Sequence, residues 1–189
     1  MFPVNETLRR YLKKNGREVK LPVAYSDLLR YTYSVPLLDK HGKDTLWEKT
    51  IYDKREWDFI REGLVKIYAT LKTEGDLSFI KHLDVARIDY CSFGNSHPFR
   101  IRIVNKFNDN YDHYYIKIAD ASRIYGLELE HLLSPNHITY FTHQETLVEE
   151  HIPGIPGDVF IRQQLKDPET NRIRLAKEFV KFNERCFVR

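Results

Sequence analysis

Apolar residues recur at steps of three and four between Lys54 and Lys72. Trp57, Ile60, Leu64, Ile67, Tyr68 and Leu71 fall on one side of a helix whose buried face belongs to a core. Asp53 stands where an N-cap belongs, and Gly75 follows the end. A shorter helix is expected after Asn5, with Leu8, Tyr11 and Leu12 as its apolar positions and Gly16 as its stop. Between the two, stretches rich in β-branched and aromatic residues around Tyr31–Leu38 and Thr45–Tyr52 flank Lys40–Asp44 and read as a hairpin. A further short helix is expected from Asp76, carrying Leu77, Phe79, Ile80 and Leu83.

After Leu83 the period changes from helical to alternating. Val85–Cys91 alternates, and Phe99, Ile101 and Ile103 alternate with Arg100 and Arg102, as a half-exposed antiparallel strand does. Asn108-Asp109-Asn110 is a turn, Tyr114–Ala119 a third strand, and Ser122–Leu133 a helix stopped by Ser134-Pro135-Asn136. Two short strands follow, Ile138–Thr142 and Thr146–Glu150. Asp158 caps a helix with Val159, Phe160, Ile161 and Leu165. A basic amphipathic stretch holds Ile173, Leu175, Phe179, Val180 and Phe182, and Cys186-Phe187-Val188 reads as the start of a strand. The fold class expected is therefore α+β: N-terminal helices and a hairpin, a five-stranded antiparallel sheet with one packed helix, then C-terminal helices. The matching partition is 1–84, 85–157 and 158–189.

Composition narrows this little. The 189 residues are 42% hydrophobic and 30% charged, ample for a buried core, and no apolar run is long enough to span a membrane. The start of the chain lacks a signal-peptide layout, and two cysteines, Cys91 and Cys186, cannot form a disulfide framework, so a cytoplasmic setting with free thiols is expected. A net charge of +3 is too weak to imply a nucleic-acid partner. The eight histidines show no H-E-x-x-H or Cys-His spacing, and there is no P-loop and no G-x-S-x-G elbow.

From Val85 onwards the order strand, strand, strand, helix, strand, strand resembles the small lobe of protein kinases and of the related aminoglycoside and choline kinases. Tyr114-Tyr115-Ile116-Lys117-Ile118 resembles the V-A-I-K strand, Ser134-Pro135-Asn136-His137-Ile138 resembles an H-P-N-I stretch, and Thr146–Gly154 resembles the fifth strand and hinge. The resemblance implies that Lys117 pairs with nucleotide phosphates and that a helix carboxylate, Glu128 or Glu130, orients it. Glu128 is preferred because it shares a face with Ile124, Tyr125 and Leu132. It implies that the Glu150–Ile152 backbone contacts adenine and that the turn Ser92–Pro98, with Gly94, covers phosphate. The implied cofactors are ATP and magnesium.

Departures accompany the resemblance. The covering turn has one glycine where G-x-G-x-x-G has three, and Glu149 stands at a position often apolar in the family. No H-x-D or D-F-G arrangement follows the hinge, so the magnesium ligands and the acceptor-orienting aspartate are not in this chain. The expectation is a nucleotide-binding region that does not catalyse alone, a pseudokinase or a piece completed by a missing C-terminal lobe. The alternative is a non-catalytic protein-interaction module, or a basic RNA-contacting domain, on an unrelated α+β fold. The basic series Arg172, Arg174, Lys177, Lys181, Arg185 and Arg189 is its candidate contact face.

Overall fold

Alternation decides how the central strands divide their side chains. In β4 (Phe99–Asn105) the apolar Phe99, Ile101 and Ile103 are buried while Arg100 and Arg102 point the other way. Strand β5 (Tyr111–Ile118) repeats this, burying Tyr114 and Ile116 and turning His113, Tyr115 and Lys117 to the opposite face. The computed structural model describes residues 1–73, 78, 80–93, 95–134, 137–155, 157–164 and 169–187. The other elements are α1 (Glu6–Lys14), α2 (Tyr25–Leu28), β1 (Tyr33–Leu38), β2 (Asp44–Ile51), α3 (Lys54–Thr73), β3 (Leu83–Tyr90), α4 (Ala121–Leu133), β6 (Tyr140–His143), β7 (Thr146–Glu150), α5 (Gly157–Gln164) and α6 (Glu169–Phe187).

The sheet has seven antiparallel strands in the order β1-β2-β3-β4-β5-β7-β6, which corrects the expectation of five. The extra two are the N-terminal hairpin. Glu48 and Lys49 of β2 pair with Tyr90 and Asp89 of β3, so the hairpin extends the sheet instead of standing apart from it. Tertiary pairing of this kind leaves no trace in local pattern. Six helices accompany the sheet among the described residues.

The core of the sheet runs across position 84. Ile60, Leu64, Ile67 and Leu71 of α3 pack with Val85, Ile88, Phe99, Ile101, Tyr114, Ile116 and Val148, and Leu21, Val23 and Leu28 join them. Tyr114 is fully buried and its hydroxyl donates to the Leu64 carbonyl at 2.8 Å, which satisfies the one polar atom that α3 covers there. The expected caps are in place. Asn5 accepts from the Leu8 amide and Asp53 from the Glu56 amide, both at 2.9 Å, and Gly16 takes a positive φ beyond α1.

Two other expectations change. Cys186-Phe187 belongs to α6, because the amphipathic period of that helix continues through it instead of giving way to alternation. Of the short helix expected from Asp76, the described part is a single 3-10 turn, Ile80–His82, and β3 begins at Leu83. The remaining positions, like Gly94, lie outside the described residues.

The chain forms two compact units. One comprises Met1–Ile124 with Thr139–His151 and contains the whole sheet; the other comprises Tyr125–Ile138 with Ile152–Arg189. In the second, Asp158 pairs with Arg162 at 2.6 Å and Glu178 with Lys181 at 2.9 Å, while Ile173, Phe179 and Val180 of α6 are exposed. Among the described residues no helix is long and apolar enough to cross a membrane.

Gly63 shows how closely α3 is seated. A Cβ there would overlap Cγ2 of the fully buried Val23, with Cβ of Pro22 next nearest at 3.4 Å. Val23 is β-branched and cannot rotate away cheaply. Gly63→Ala gains helix propensity of up to about 1 kcal/mol but overpacks at a cost of about 1–3 kcal/mol. The expected outcome is a net destabilisation of about 1–2 kcal/mol, read from urea unfolding midpoints at unchanged m-value.

Candidate functional site: the charged face of the sheet

The sheet face opposite α3 carries Lys117, Tyr115 and His113 from β5, Arg100 and Arg102 from β4, Arg87 and Asp89 from β3, and Glu149 from β7. Each reaches this face by the same two-residue period that sends its neighbours into the core. All belong to the sheet-containing unit.

Lys117 sits inside the sheet, its side chain only 18% exposed. Its ammonium donates to Oε2 of Glu149 at 2.8 Å. Glu149 is opposite Tyr115 in the β5–β7 register, which puts it diagonal to Lys117 on the same face. Its carboxylate also takes two bonds from Arg123 of α4, Nε to Oε1 at 2.8 Å and Nη2 to Oε2 at 2.9 Å. At 3% exposure this is a buried anion between two cations. Burial pushes the Glu149 carboxyl up, but the Arg123 hydrogen bonds and the Lys117 charge outweigh it and hold the group below the usual glutamate range. An ammonium has three donors, so Lys117 keeps donors for a second anion while it holds Glu149.

A second buried acid lies three strands away, on β3. Asp89 is fully buried and receives Nε and Nη2 of Arg100 on Oδ2 at 3.0 and 2.8 Å, while Nη2 of Arg87 reaches the same oxygen at 3.1 Å. Flat groups pave the surface between the two acids. The Arg100 guanidinium lies 4.3 Å from the Trp47 ring centroid, and the Trp47 and Tyr115 rings are 6.4 Å apart. The Tyr115 hydroxyl meets Nδ1 of His151 at 3.1 Å, and the His151 and His113 rings are 5.8 Å apart. Burial, then the charges of Arg100, His151 and Arg102, push His113 down to about 4.

The site residues expected from sequence are only partly brought together. Lys117 is central, but its carboxylate comes from β7. Glu128 is buried on α4, and of the residues expected to share its face Ile124 is buried whereas Tyr125 and Leu132 are exposed. Glu150 follows Glu149 with its side chain on the other face, where Oε1 accepts from the Thr139 amide at 2.6 Å and Oε2 lies 3.4 Å from Nζ of Lys72. Ile152 is exposed beyond the end of β7, and Gly94 lies outside the described residues. Glu149 and Arg123 were missed as site residues, although an acid flanked by Leu147 and Val148 in a buried strand is a signal that it has a cationic partner. No group of three or more His, Cys, Asp or Glu side chains placed to hold a metal occurs among the described residues.

No protein-family profile, no curated protein and no solved structure matches this chain.

Two outcomes follow from the buried charges. Glu149→Gln leaves Lys117 and Arg123 without their counter-charge, and breaking a buried pair in this way costs about 3 kcal/mol. In a chain of this size that lowers Tm by about 6–12 °C in a thermal melt. His113 takes a proton at about 6.5 when unfolded and at about 4 when folded, so the unfolded state binds more protons between these values. Stability therefore falls as pH drops from 6.5 toward 4, and Glu149 adds its own loss only lower, as pH falls through its depressed folded value. His113→Gln should flatten the upper part of that acid limb in denaturation midpoints taken at pH 7.5, 6, 5 and 4.

Proposed function

We propose that this chain is a nucleotide-binding region organised like a kinase small lobe, with Lys117 contacting phosphate. The observation that carries the reading is Lys117 itself: a half-buried cation one residue from the end of β5, held by a carboxylate, on a face where guanidiniums outnumber acids. The element order from β3 to β7, with α4 between β5 and β6, supports it further.

In this reading Glu149 takes the part that the resemblance gives to a helix acid. Helix α4 still bears on the lysine, because Arg123 grips the same carboxylate. Arg123, in the first turn of α4, and Lys117 thus share one buried carboxylate. The Glu150–Ile152 backbone is the proposed adenine contact, with the His151 side chain anchored on Tyr115 beside it.

The reading gives this face phosphate oxygens as ligands and leaves the magnesium ligands outside it. A magnesium site needs free carboxylates, and both acids here, Asp89 and Glu149, are already held by cations. The proposed activity is therefore binding, with no phosphoryl transfer by this chain alone.

A thermal melt with ATP tests this. For a dissociation constant of about 0.1 mM, nucleotide at about 1 mM adds about 1.4 kcal/mol, a rise in Tm of about 3–6 °C. Lys117→Ala is expected to abolish the rise. Absence of any shift in the wild type at millimolar ATP, with and without magnesium, would sink the proposal.

A further inference from the structure

The charged face holds an arrangement that the Lys117 reading does not use. Arg87 of β3 and Arg102 of β4 are paired directly across the ladder, and His113 of β5 is paired with Arg102 on its other side. Three adjacent strands thus present Arg, Arg and His in one row without an acid. Like charges directly opposite each other in a sheet are destabilising. Among the described residues, the carboxylate that meets these cations is Asp89 in the next row, and it is shared by Arg87 and Arg100. Arg102 lies over the Tyr111 ring at 3.8 Å and meets no carboxylate among the described residues. Among the described residues, three guanidiniums in these two rows face the single carboxylate of Asp89, so positive charge is in excess there.

The guanidiniums are reachable, the Arg87 and Arg100 side chains being 26% and 23% exposed. Asp89 fixes Arg100 with two bonds and holds Arg87, so two forks are already oriented, and stacking on Tyr111 orients the third. Oriented guanidiniums give parallel N–H donors to the oxygens of a phosphate, a match that a point-charge ammonium does not provide. Strain of this kind, where a local rule is broken without internal compensation, concentrates at functional positions. Burial, and after it the charges of Arg100, His151 and Arg102, lower the His113 titration.

We infer that Arg87 and Arg102, with Arg100 beside them, form a binding site for a phosphate or pyrophosphate group, separate from Lys117. The site takes a multiply charged tetrahedral oxyanion, and its occupancy relieves the repulsion across the β3–β4 ladder.

The experiment is a thermal-shift titration with sodium pyrophosphate against sodium chloride of equal ionic strength, on wild type, Arg102→Gln, Arg102→Lys and Lys117→Ala. Pyrophosphate is expected to raise the wild-type Tm by several degrees at millimolar concentration, with chloride giving less. Arg102→Gln should melt no lower than wild type without ligand, because the repulsion is gone, and should lose part of the pyrophosphate shift. Arg102→Lys keeps the charge but not the fork, and should retain a reduced shift. Lys117→Ala should lose only the part of the shift that phosphate contributes at Lys117 and keep the part that Arg102→Gln removes. In a parallel NMR titration, the His113 imidazole pKa should move upward when pyrophosphate is added. Equal shifts with pyrophosphate and chloride, a full shift in Arg102→Gln, or loss of the whole shift in Lys117→Ala would each overturn the inference. The last of these would move the anion to Lys117 and leave the nucleotide reading standing.

Discussion

Every side chain that matters on this sheet is placed by the two-residue period of β4 and β5. Because neighbouring residues must point to opposite faces, burying Ile101, Ile103, Tyr114 and Ile116 beneath α3 obliges Arg100, Arg102, Tyr115 and Lys117 to line the other side. A one-residue slip of β5 would bury Lys117 under α3 and expose Tyr114 and Ile116. The register is therefore held by the whole core, and the charged face inherits that rigidity. Tyr114 reinforces the arrangement, since its hydroxyl reaches the Leu64 carbonyl from only one register.

Two buried carboxylates organise the charged face, and they do so differently. Glu149 joins three elements, β5, β7 and α4, through Lys117 and Arg123. Asp89 joins two guanidiniums, Arg87 of its own strand and Arg100 of the adjacent one. The first is a junction, at which one buried acid holds a strand lysine and a helix arginine together. The second is a fixed scaffold, at which an acid holds guanidiniums at set angles. Each acid costs desolvation energy, and hydrogen bonds from its cations offset it. Removing either acid alone would leave cations facing one another.

The strong periodicities were legible in the sequence. α3, α4, β4 and β7 fall within a residue or two of the spans expected: α3 and β4 carry several matches to a single period, and turn residues bound the other two. The hairpin was legible too, but its membership of the sheet was not, since the β2–β3 pairing rests on only Glu48 and Lys49 meeting residues some forty positions away. Lys117 stood out as a strand lysine, whereas its partner was misplaced. Choosing a partner from the helix used only helical phase, and the actual partner is set by the antiparallel register of β5 and β7. Arg87 opposite Arg102 was likewise invisible, because a bulge between Val85 and Arg87 shifts the count by one.

The two edges of the sheet are treated unequally. Beside β6, the segment Arg17–Val19 runs along Thr142: the Val19 amide donates to the Thr142 carbonyl at 2.9 Å, and the Thr142 amide donates to the Arg17 carbonyl at 2.7 Å. Glu18 locks this strip by accepting from the Thr142 hydroxyl at 2.5 Å and the Gln144 amide at 3.1 Å. The opposite edge, β1, has no such strip among the described residues, but Pro36 lies within it and supplies no amide to a newcomer. One border is thus guarded by covering it and the other by interrupting its donors. The first twenty residues, which look like a detachable basic arm, are in this sense an edge guard. Trimming the chain past Val19 would uncover the backbone of β6 and convert a closed border into a template for strand addition.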